Sequence, residues 1–413
     1  MYDLTTIGKN AKKASVHVRG LSAGEKNSAL LACAMGIEEN ADSIISENAK
    51  DMANADPSRG AFNDRLLLNK QRVLAMANGL RKVASQDDPT GEVIYMKTMP
   101  NGLKIGEKRV PIGVVGMIYE ARPNVTTDSF ALCFKSGNTC VLRGSKEAIH
   151  SNTVLVKILQ EILHELGHPR EIVQLIEDTS REVAREFMRL NKYIDVLIPR
   201  GNAGLIASAI ENSTIPVIET GVGNCHIFVD ESADLAKAVP LILNAKTQRP
   251  SVCNACEKLL IHKNIAGKFL PEICAALSDY NVEIRGDKAV CTAFPSAKPA
   301  TEDDWHTEFL DLIIAIKVVD DFNAATEHIA EYSSSHTDAI LTESYANAEK
   351  FVEQVDSAAV FVNASTRFTD GEEFGLGAEM GISTQKLHAR GPMGLTALTT
   401  KKFFALGNGQ IRG

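Results

Sequence analysis

The chain has 413 residues, 44% of them hydrophobic and 23% charged, with a formal net charge of −8. That length exceeds one ordinary core and predicts two or three globular domains, while the acidic balance argues against nucleic acid or an anionic membrane as the main partner. Met1-Tyr2-Asp3-Leu4 opens no signal peptide and no stretch reaches the ~20 apolar residues of a bilayer span, so a cytoplasmic protein with reduced cysteines is expected.

Residues 3–86 read as helical, and Ser22-Ala23-Gly24-Glu25 has the form of a capping box. A two-stranded flap is expected over 95–110, turned by Asn101-Gly102; a ribbon with so little to bury predicts packing against another subunit. Apolar runs at 109–118, 139–143, 172–176, 196–198, 217–218 and 227–229 read as buried strands. Helical patterns separate them, the clearest placing Val154, Leu155, Ile158, Leu159, Ile162, Leu163 and Leu166 on one face. Such alternation predicts an α/β fold with a mainly parallel sheet covered on both sides. A second αβ set follows Gln248, with strands at 259–262, 312–319, 339–341 and 359–362 and helices near 265–279, 321–332 and 344–355. From Gln385 the chain, with Gly391-Pro392 and then 395–404, reads as a return to the flap.

Two segments carry the chemistry. The stretch 110–146, VPIGVVGMIYEARPNVTTDSFALCFKSGNTCVLRGSK, reads as strand, Gly-rich turn, helix and a second strand closing on a basic loop. A βαβ unit presents backbone to a nucleotide in this way. The stretch 246–256, KTQRPSVCNAC, sets Cys253 directly after a Pro-containing loop, and a nucleotide site with an exposed thiol suggests a covalent thioester. Gly201-Asn202-Ala203-Gly204 gains weight as a dinucleotide turn beside Arg143-Gly144-Ser145-Lys146, since both follow strand ends where parallel sheets bind ligands.

Two motifs invite metal readings. His164-Glu165-Leu166-Gly167-His168 matches H-E-x-x-H, but Gly167 and Pro169 end the helix that both histidines would need. Cys253-Asn254-Ala255-Cys256 lacks the second pair that structural zinc wants, and a redox pair usually opens a helix in a much smaller domain. One nucleophile with an incidental second thiol is the main reading, and no metal is expected.

At PIGVVGMIYEARPNVT, LRGSKEA, AKTQRPSVCNA and EYSSSHTDAILTE (331–343) the sequence resembles the aldehyde dehydrogenase superfamily, and within it the gamma-glutamyl phosphate reductases of proline biosynthesis. The resemblance runs nearly end to end and implies an aldehyde dehydrogenase-like fold of two doubly wound αβ domains plus an oligomerisation flap. Residues 1–94 and 111–230 would bind NADP(H), 231–365 would carry the nucleophile, and 95–110 with 385–413 would form the flap. It implies Cys253 as nucleophile and Asn124, with the Cys253 backbone N–H, as oxyanion donors. Arg143, Ser145, Lys146, Gly201, Gly204, Glu219 and Glu308 are expected on the cofactor side. Lys146 stands where NAD-using relatives tend to carry an acid, so it favours a 2′-phosphate and hence NADPH. Glu219 aligns with the base of hydrolytic relatives, a role that a reductase does not require. Arg122, His336 and Asp338 are the expected substrate ligands.

The implied activity is NADPH-dependent reduction of a small molecule, L-glutamyl 5-phosphate, to the 5-semialdehyde. A homo-oligomer, dimer or higher, is expected, and the lability of an acyl phosphate motivates a transient association with a glutamate 5-kinase. The alternatives are a hydrolytic aldehyde dehydrogenase using NAD and a non-catalytic, thiol-bearing scaffold on the same fold.

Overall fold

A computed structural model of the chain describes residues 3–58 and 60–412, with 60 and 61 described by backbone alone. Met1, Tyr2, Arg59 and Gly413, which touch the expected helical, cofactor and flap segments, lie outside the described residues. The chain forms two compact units, Met1–Thr220 with Gly375–Gly381 and Met393–Gly413, and Gly221–Phe374 with Ile382–Pro392. No described helix is long and apolar enough to cross a membrane.

The first unit opens with helices Leu4–Arg19, Ala23–Glu39, Ala41–Ala53, Gly60–Leu66 and Lys70–Ser85. The Ser22–Glu25 capping box forms as expected, each side chain meeting the other's backbone N–H. Beyond them lies a four-stranded parallel sheet in the order Val173–Leu175, Thr139–Gly144, Val114–Tyr119, Val196–Arg200. Its core gathers Val114, Ile118, Val141, Ile176, Phe187 and Leu197, each worth about 2 kcal/mol in apolar burial.

The run 109–118, expected as one strand, is two. Lys104–Pro111 belongs to the flap and Val114–Tyr119 to the parallel sheet, broken at Gly113 with φ +134°. A Cβ on Gly113 would lie 2.2 Å from Asp195 Oδ2, the atom that accepts the Val114 N–H at 2.8 Å. The run 217–218 contributes only one bridge, Leu197 to Val217.

In the flap, Val93–Thr98 pairs with Lys104–Pro111, which pairs in turn with Thr399–Leu406, all antiparallel. Gly102, at φ +83°, makes the left-handed step in the hairpin connection. The segment 385–392, grouped with the flap by its sequence, lies in the second unit. Every residue of Val93–Thr98 is exposed, including Val93, Ile94, Tyr95 and Met96.

The helix Ile149–Glu165 stops where Gly167 turns left-handed, φ +82°. His168 therefore leaves the helical face and meets His17 at 3.0 Å, Nδ1 to Nε2.

The second unit is a seven-stranded parallel sheet in the order Lys298–Pro299, Glu283–Gly286, Ile313–Val319, Cys256–His262, Cys225–Val229, Thr337–Leu341, Ala359–Val362. The strand at Cys225–Val229, grouped with the first block by its sequence, thus lies mid-sheet here. Strands buried on both faces carry apolar residues without alternation, so sequence cannot say to which sheet such a run belongs. Consecutive residues serve opposite faces: Ile227, Leu259 and Ala339 meet one core with Ile242 and Phe269. Phe228, Leu260 and Ile340 meet the other with Phe322 and Phe351.

Burial lowers the His336 imidazole from its ordinary 6.5 to about 4, with Asp338 opposing. Between those values the unfolded chain binds a proton that the folded one refuses. Stability present above pH 6.5 is therefore lost as pH falls towards 4, by about 3 kcal/mol for this group. Urea unfolding at pH 7 and pH 4.5 should show the loss, and His336→Gln should reduce the difference between the two.

Candidate active site

In the second unit the helix Leu235–Thr247 and the strand Cys256–His262 are joined by residues 248–255, which carry Cys253. The stem of this loop is ionic: Lys246 and Glu257, both fully buried, pair at 2.9 Å. Glu257 Oε1 also accepts the Leu310 N–H at 3.2 Å, and Lys258 Nζ donates to the Thr307 carbonyl at 2.8 Å. These bonds tie the segment bearing Glu308 to the root of the cysteine loop. Burial pushes the Glu257 carboxyl up to about 7 and the Lys258 ammonium down to about 8, each opposed by the neighbouring opposite charge.

The loop itself is clamped from two directions. Thr366 Oγ1 donates to the Asn254 carbonyl at 2.7 Å, and the Asn254 amide donates to the Thr369 carbonyl at 2.8 Å. Arg367 donates through Nη1 to Asn254 Oδ1 and through Nε to Gln248 Oε1, the latter at 2.8 Å. On the other side lies Gly223, where a Cβ would stand 1.6 Å from the Cys253 carbonyl oxygen. The Gly223 N–H donates to Glu308 Oε1 at 2.8 Å, so one glycine fixes both the cysteine backbone and the glutamate.

Cys253 is half-buried. Its carbonyl accepts from Cys225 Sγ at 3.1 Å, and burial pushes the Cys225 thiol far above its usual value, keeping it a protonated donor. Cys256 packs into the core, where burial pushes its thiol up to about 12. The C-x-x-C spacing therefore joins one accessible sulfur to one core residue.

His336 and Asp338, expected at the substrate, are both fully buried in the strand Thr337–Leu341 or at its entrance. Asp338 accepts the His226 N–H at 2.8 Å and the hydroxyls of Ser333, at 2.7 Å, and Ser357. The carboxylate thereby braces the Ser333–Ser335 turn, whose last residue has φ +58°. His336 Nδ1 lies 2.8 Å from Thr337 Oγ1 and 3.8 Å from Cys225 Sγ.

The first unit carries the other expected residues. Asn124 opens the helix Asn124–Lys135 exposed, and its amide donates to Asp128 Oδ2 at 2.9 Å. An ionised carboxylate only accepts, so Asp128 fixes which end of the Asn124 amide faces it and leaves the second N–H as a donor. Burial pushes the Asp128 carboxyl up to about 6, against the Asn124 bond and Arg200. Arg122 is half-buried in the bend before that helix, and Glu219 is half-buried after the Val217 bridge.

At the end of the strand Thr139–Gly144, Arg143 Nη2 donates to the carbonyls of Thr179, at 2.5 Å, and Ser180, at 3.1 Å. Arg143 Nε and Ser145 Oγ are buried without a protein partner, while Lys146 is exposed. Asn202, between Gly201 and Gly204, caps the helix Ala203–Asn212, accepting the Leu205 N–H at 2.9 Å and donating to Glu120 Oε1 at 2.6 Å. Asn202 therefore has a local role as the helix cap.

Sequence reasoning missed Asp128, Gly223, Cys225, Asn254 and Arg367. Only Asp128 had a legible signal, the i to i+4 spacing from Asn124 that puts both on one helical face. The others act through contacts between segments far apart in the chain, for which no local pattern exists.

Comparison with known proteins shows the family and the fold. Residues 2–294 match the Aldehyde dehydrogenase family. The gamma-glutamyl phosphate reductases of Clostridium botulinum (strain Eklund 17B / Type B) and Carboxydothermus hydrogenoformans are 55% and 56% identical, over the full length of both chains in each case. The crystal structure of the gamma-glutamyl phosphate reductase from Thermotoga maritima superposes with a TM-score of 0.96 at 50% identity, covering all of both chains. An acetylating aldehyde dehydrogenase from Geobacillus thermoglucosidasius shares the fold at a TM-score of 0.71 and 17% identity, over 100% of this chain and 98% of that one. The chain belongs to the aldehyde dehydrogenase family and, within it, to the gamma-glutamyl phosphate reductases.

Proposed function

We propose that the chain reduces L-glutamyl 5-phosphate to L-glutamate 5-semialdehyde with NADPH, releasing phosphate, as a step of proline biosynthesis. The observation that carries this reading is the cysteine loop. Cys253 is the accessible sulfur in a loop held by Gly223, Asn254 and Arg367, within a chain 55% identical end to end to a reductase of that name. Its thiolate attacks the 5-carbonyl, the C–O bond to phosphate breaks, and an acyl thioester remains. Asn124 supplies a side-chain N–H to the oxyanion, a contribution typically of about 3 kcal/mol. Collapse of the thiohemiacetal then frees the aldehyde and restores Cys253. No water attacks an intermediate, so Glu219 is not needed as a base.

The cofactor side fits a dinucleotide phosphate. Ser145 Oγ and Arg143 Nε are buried polar atoms that the protein leaves unpartnered, and Lys146 beside them is an exposed cation suited to a 2′-phosphate. Arg143, Ser145, Lys146 and the Gly201–Gly204 turn would hold NADPH, with Glu308 reserved for its nicotinamide ribose. When bound, NADPH supplies the hydride that reduces the thioester carbonyl. Arg122 is the first unit's candidate for a substrate oxyanion.

The exposed apolar row Val93–Met96 on the edge of the flap supports assembly as a homo-oligomer. The lability of the acyl phosphate supports a transient docking with the kinase that makes it.

The test is oxidation of glutamate 5-semialdehyde by the purified chain with and without inorganic phosphate, comparing NADP with NAD. Strict dependence on phosphate and a preference for NADP are expected. Turnover without phosphate would favour the hydrolytic reading and return Glu219 to the role of base.

A further inference from the structure

We propose that Arg249 and Arg367 form the subsite that takes the phosphate of the acyl phosphate substrate and holds it as it leaves. The inference rests on the acyl-phosphate reading above and adds residues to it.

Arg367 is built into the cysteine loop rather than merely near it. Its guanidinium reaches Gln248 Oε1 at 2.8 Å and Asn254 Oδ1, residues five before and one after Cys253, so the cation spans the loop that presents the sulfur. Neither bond uses Nη2. Arg249 follows Gln248 in the same loop and is exposed. The charges around Arg367 have a definite pattern. Burial disfavours its cation most, the thiolate of Cys253 and the carboxylate of Asp370 favour it, and the Arg249 cation opposes it. Arg367 is thus hydrogen-bonded to Gln248, the residue immediately before Arg249, and to Asn254, the residue immediately after Cys253, which gives the cysteine loop two cations of its own. Two cations on one loop, one half-buried and one exposed, favour an anion beside them.

The chemistry of the step supplies that anion and places it. As the bond from sulfur to carbon forms, the bond from that carbon to the phosphate oxygen breaks, and the electron pair stays on the oxygen. Thiolate and acyl phosphate dianion become a neutral thioester and a phosphate that carries the whole charge until it takes a proton from water. Cations fixed where that charge accumulates lower the barrier more than they favour the ground state. The phosphate is bonded to the carbon that the sulfur attacks. The α-carboxylate lies at the far end of the carbon chain, so the arginines of the cysteine loop suit the phosphate. Guanidinium, planar and permanently charged, binds phosphate by two parallel hydrogen bonds.

The experiment uses the full chain with NADP, glutamate 5-semialdehyde and inorganic phosphate. Arg249→Ala is expected to raise KM for phosphate tenfold or more while KM for the semialdehyde stays within twofold, and Arg249→Lys should recover part of the loss. A second readout needs no turnover: inorganic phosphate should slow alkylation of Cys253 by iodoacetamide in the unsubstituted chain and lose that effect in Arg249→Ala. An unchanged KM for phosphate with protection intact overturns the assignment. So does a rise confined to the semialdehyde, which assigns the arginines to the α-carboxylate. Phosphate-independent turnover by the unsubstituted chain sinks the acyl-phosphate reading instead. The alkylation assay then still decides whether the two arginines bind phosphate.

Discussion

Cys253→Ala is expected to abolish NADP reduction by glutamate 5-semialdehyde and phosphate, a loss of at least ~10⁴-fold, as removal of a covalent nucleophile usually produces. Neighbouring thiols do not rescue it. Cys225 is held protonated by burial and points at the Cys253 carbonyl, and Cys256 sits in the core with its thiol pushed up to about 12. Iodoacetamide should label the unsubstituted chain first at Cys253 and leave the variant's fast phase empty. Since the Cys253 side chain is half-buried and makes no part of the core, the melting temperature should move by no more than a few degrees. Activity within tenfold of the unsubstituted chain would eliminate the thioester route.

Gly223→Ala is expected to lower kcat on the order of 10³-fold, about 4 kcal/mol of barrier, although no reacting atom is removed. The added methyl carbon would lie 1.6 Å from the Cys253 carbonyl oxygen, 2.3 Å from its carbonyl carbon and 2.5 Å from its Cα. All three are backbone atoms, so no rotamer change relieves the overlap. The cysteine loop must move by more than an ångström against the Arg367 and Thr366 clamps, or the Gly223 strand entry must move and break its bond to Glu308. Either shift displaces the sulfur from its line of attack, where an error of about 1 Å costs roughly a hundredfold. Single-turnover alkylation of Cys253 would separate the two. Slow turnover with unimpaired alkylation marks a misplaced but reactive sulfur, whereas kcat within threefold of the unsubstituted chain would show that the loop tolerates the methyl group.

Much of the architecture was readable because it is written in local chemistry. The capping box at Ser22 and Glu25, the helix stop at Gly167 and the left-handed turn at Gly102 each depend on residues within a few positions of one another. Sheet membership was not readable. Cys225–Val229 and Val114–Tyr119 are both fully buried apolar strands, alike in pattern, yet they enter different sheets. The pairing that separates them is a backbone match over long chain distance, to Cys256–His262 in one case and Thr139–Gly144 in the other. The split of 109–118 depended on Asp195, some eighty residues away, occupying the space a side chain on Gly113 would need.

The candidate site divides in the same way. Sequence by itself determined the family, through a resemblance that runs nearly end to end, and with it the class of chemistry and the proposal of Cys253 as the reacting group. Tertiary structure alone decided how the cysteine is held. Gly223, Cys225 and Arg367 are ordinary letters in the chain, and they acquire a role only where folding sets them against residues 248–254. It also decided that Asp338, expected at the substrate, is filled by His226, Ser333 and Ser357 and braces a turn. A buried carboxylate must have its acceptor sites satisfied, and which groups satisfy them is a matter of three-dimensional proximity that no one-dimensional pattern encodes.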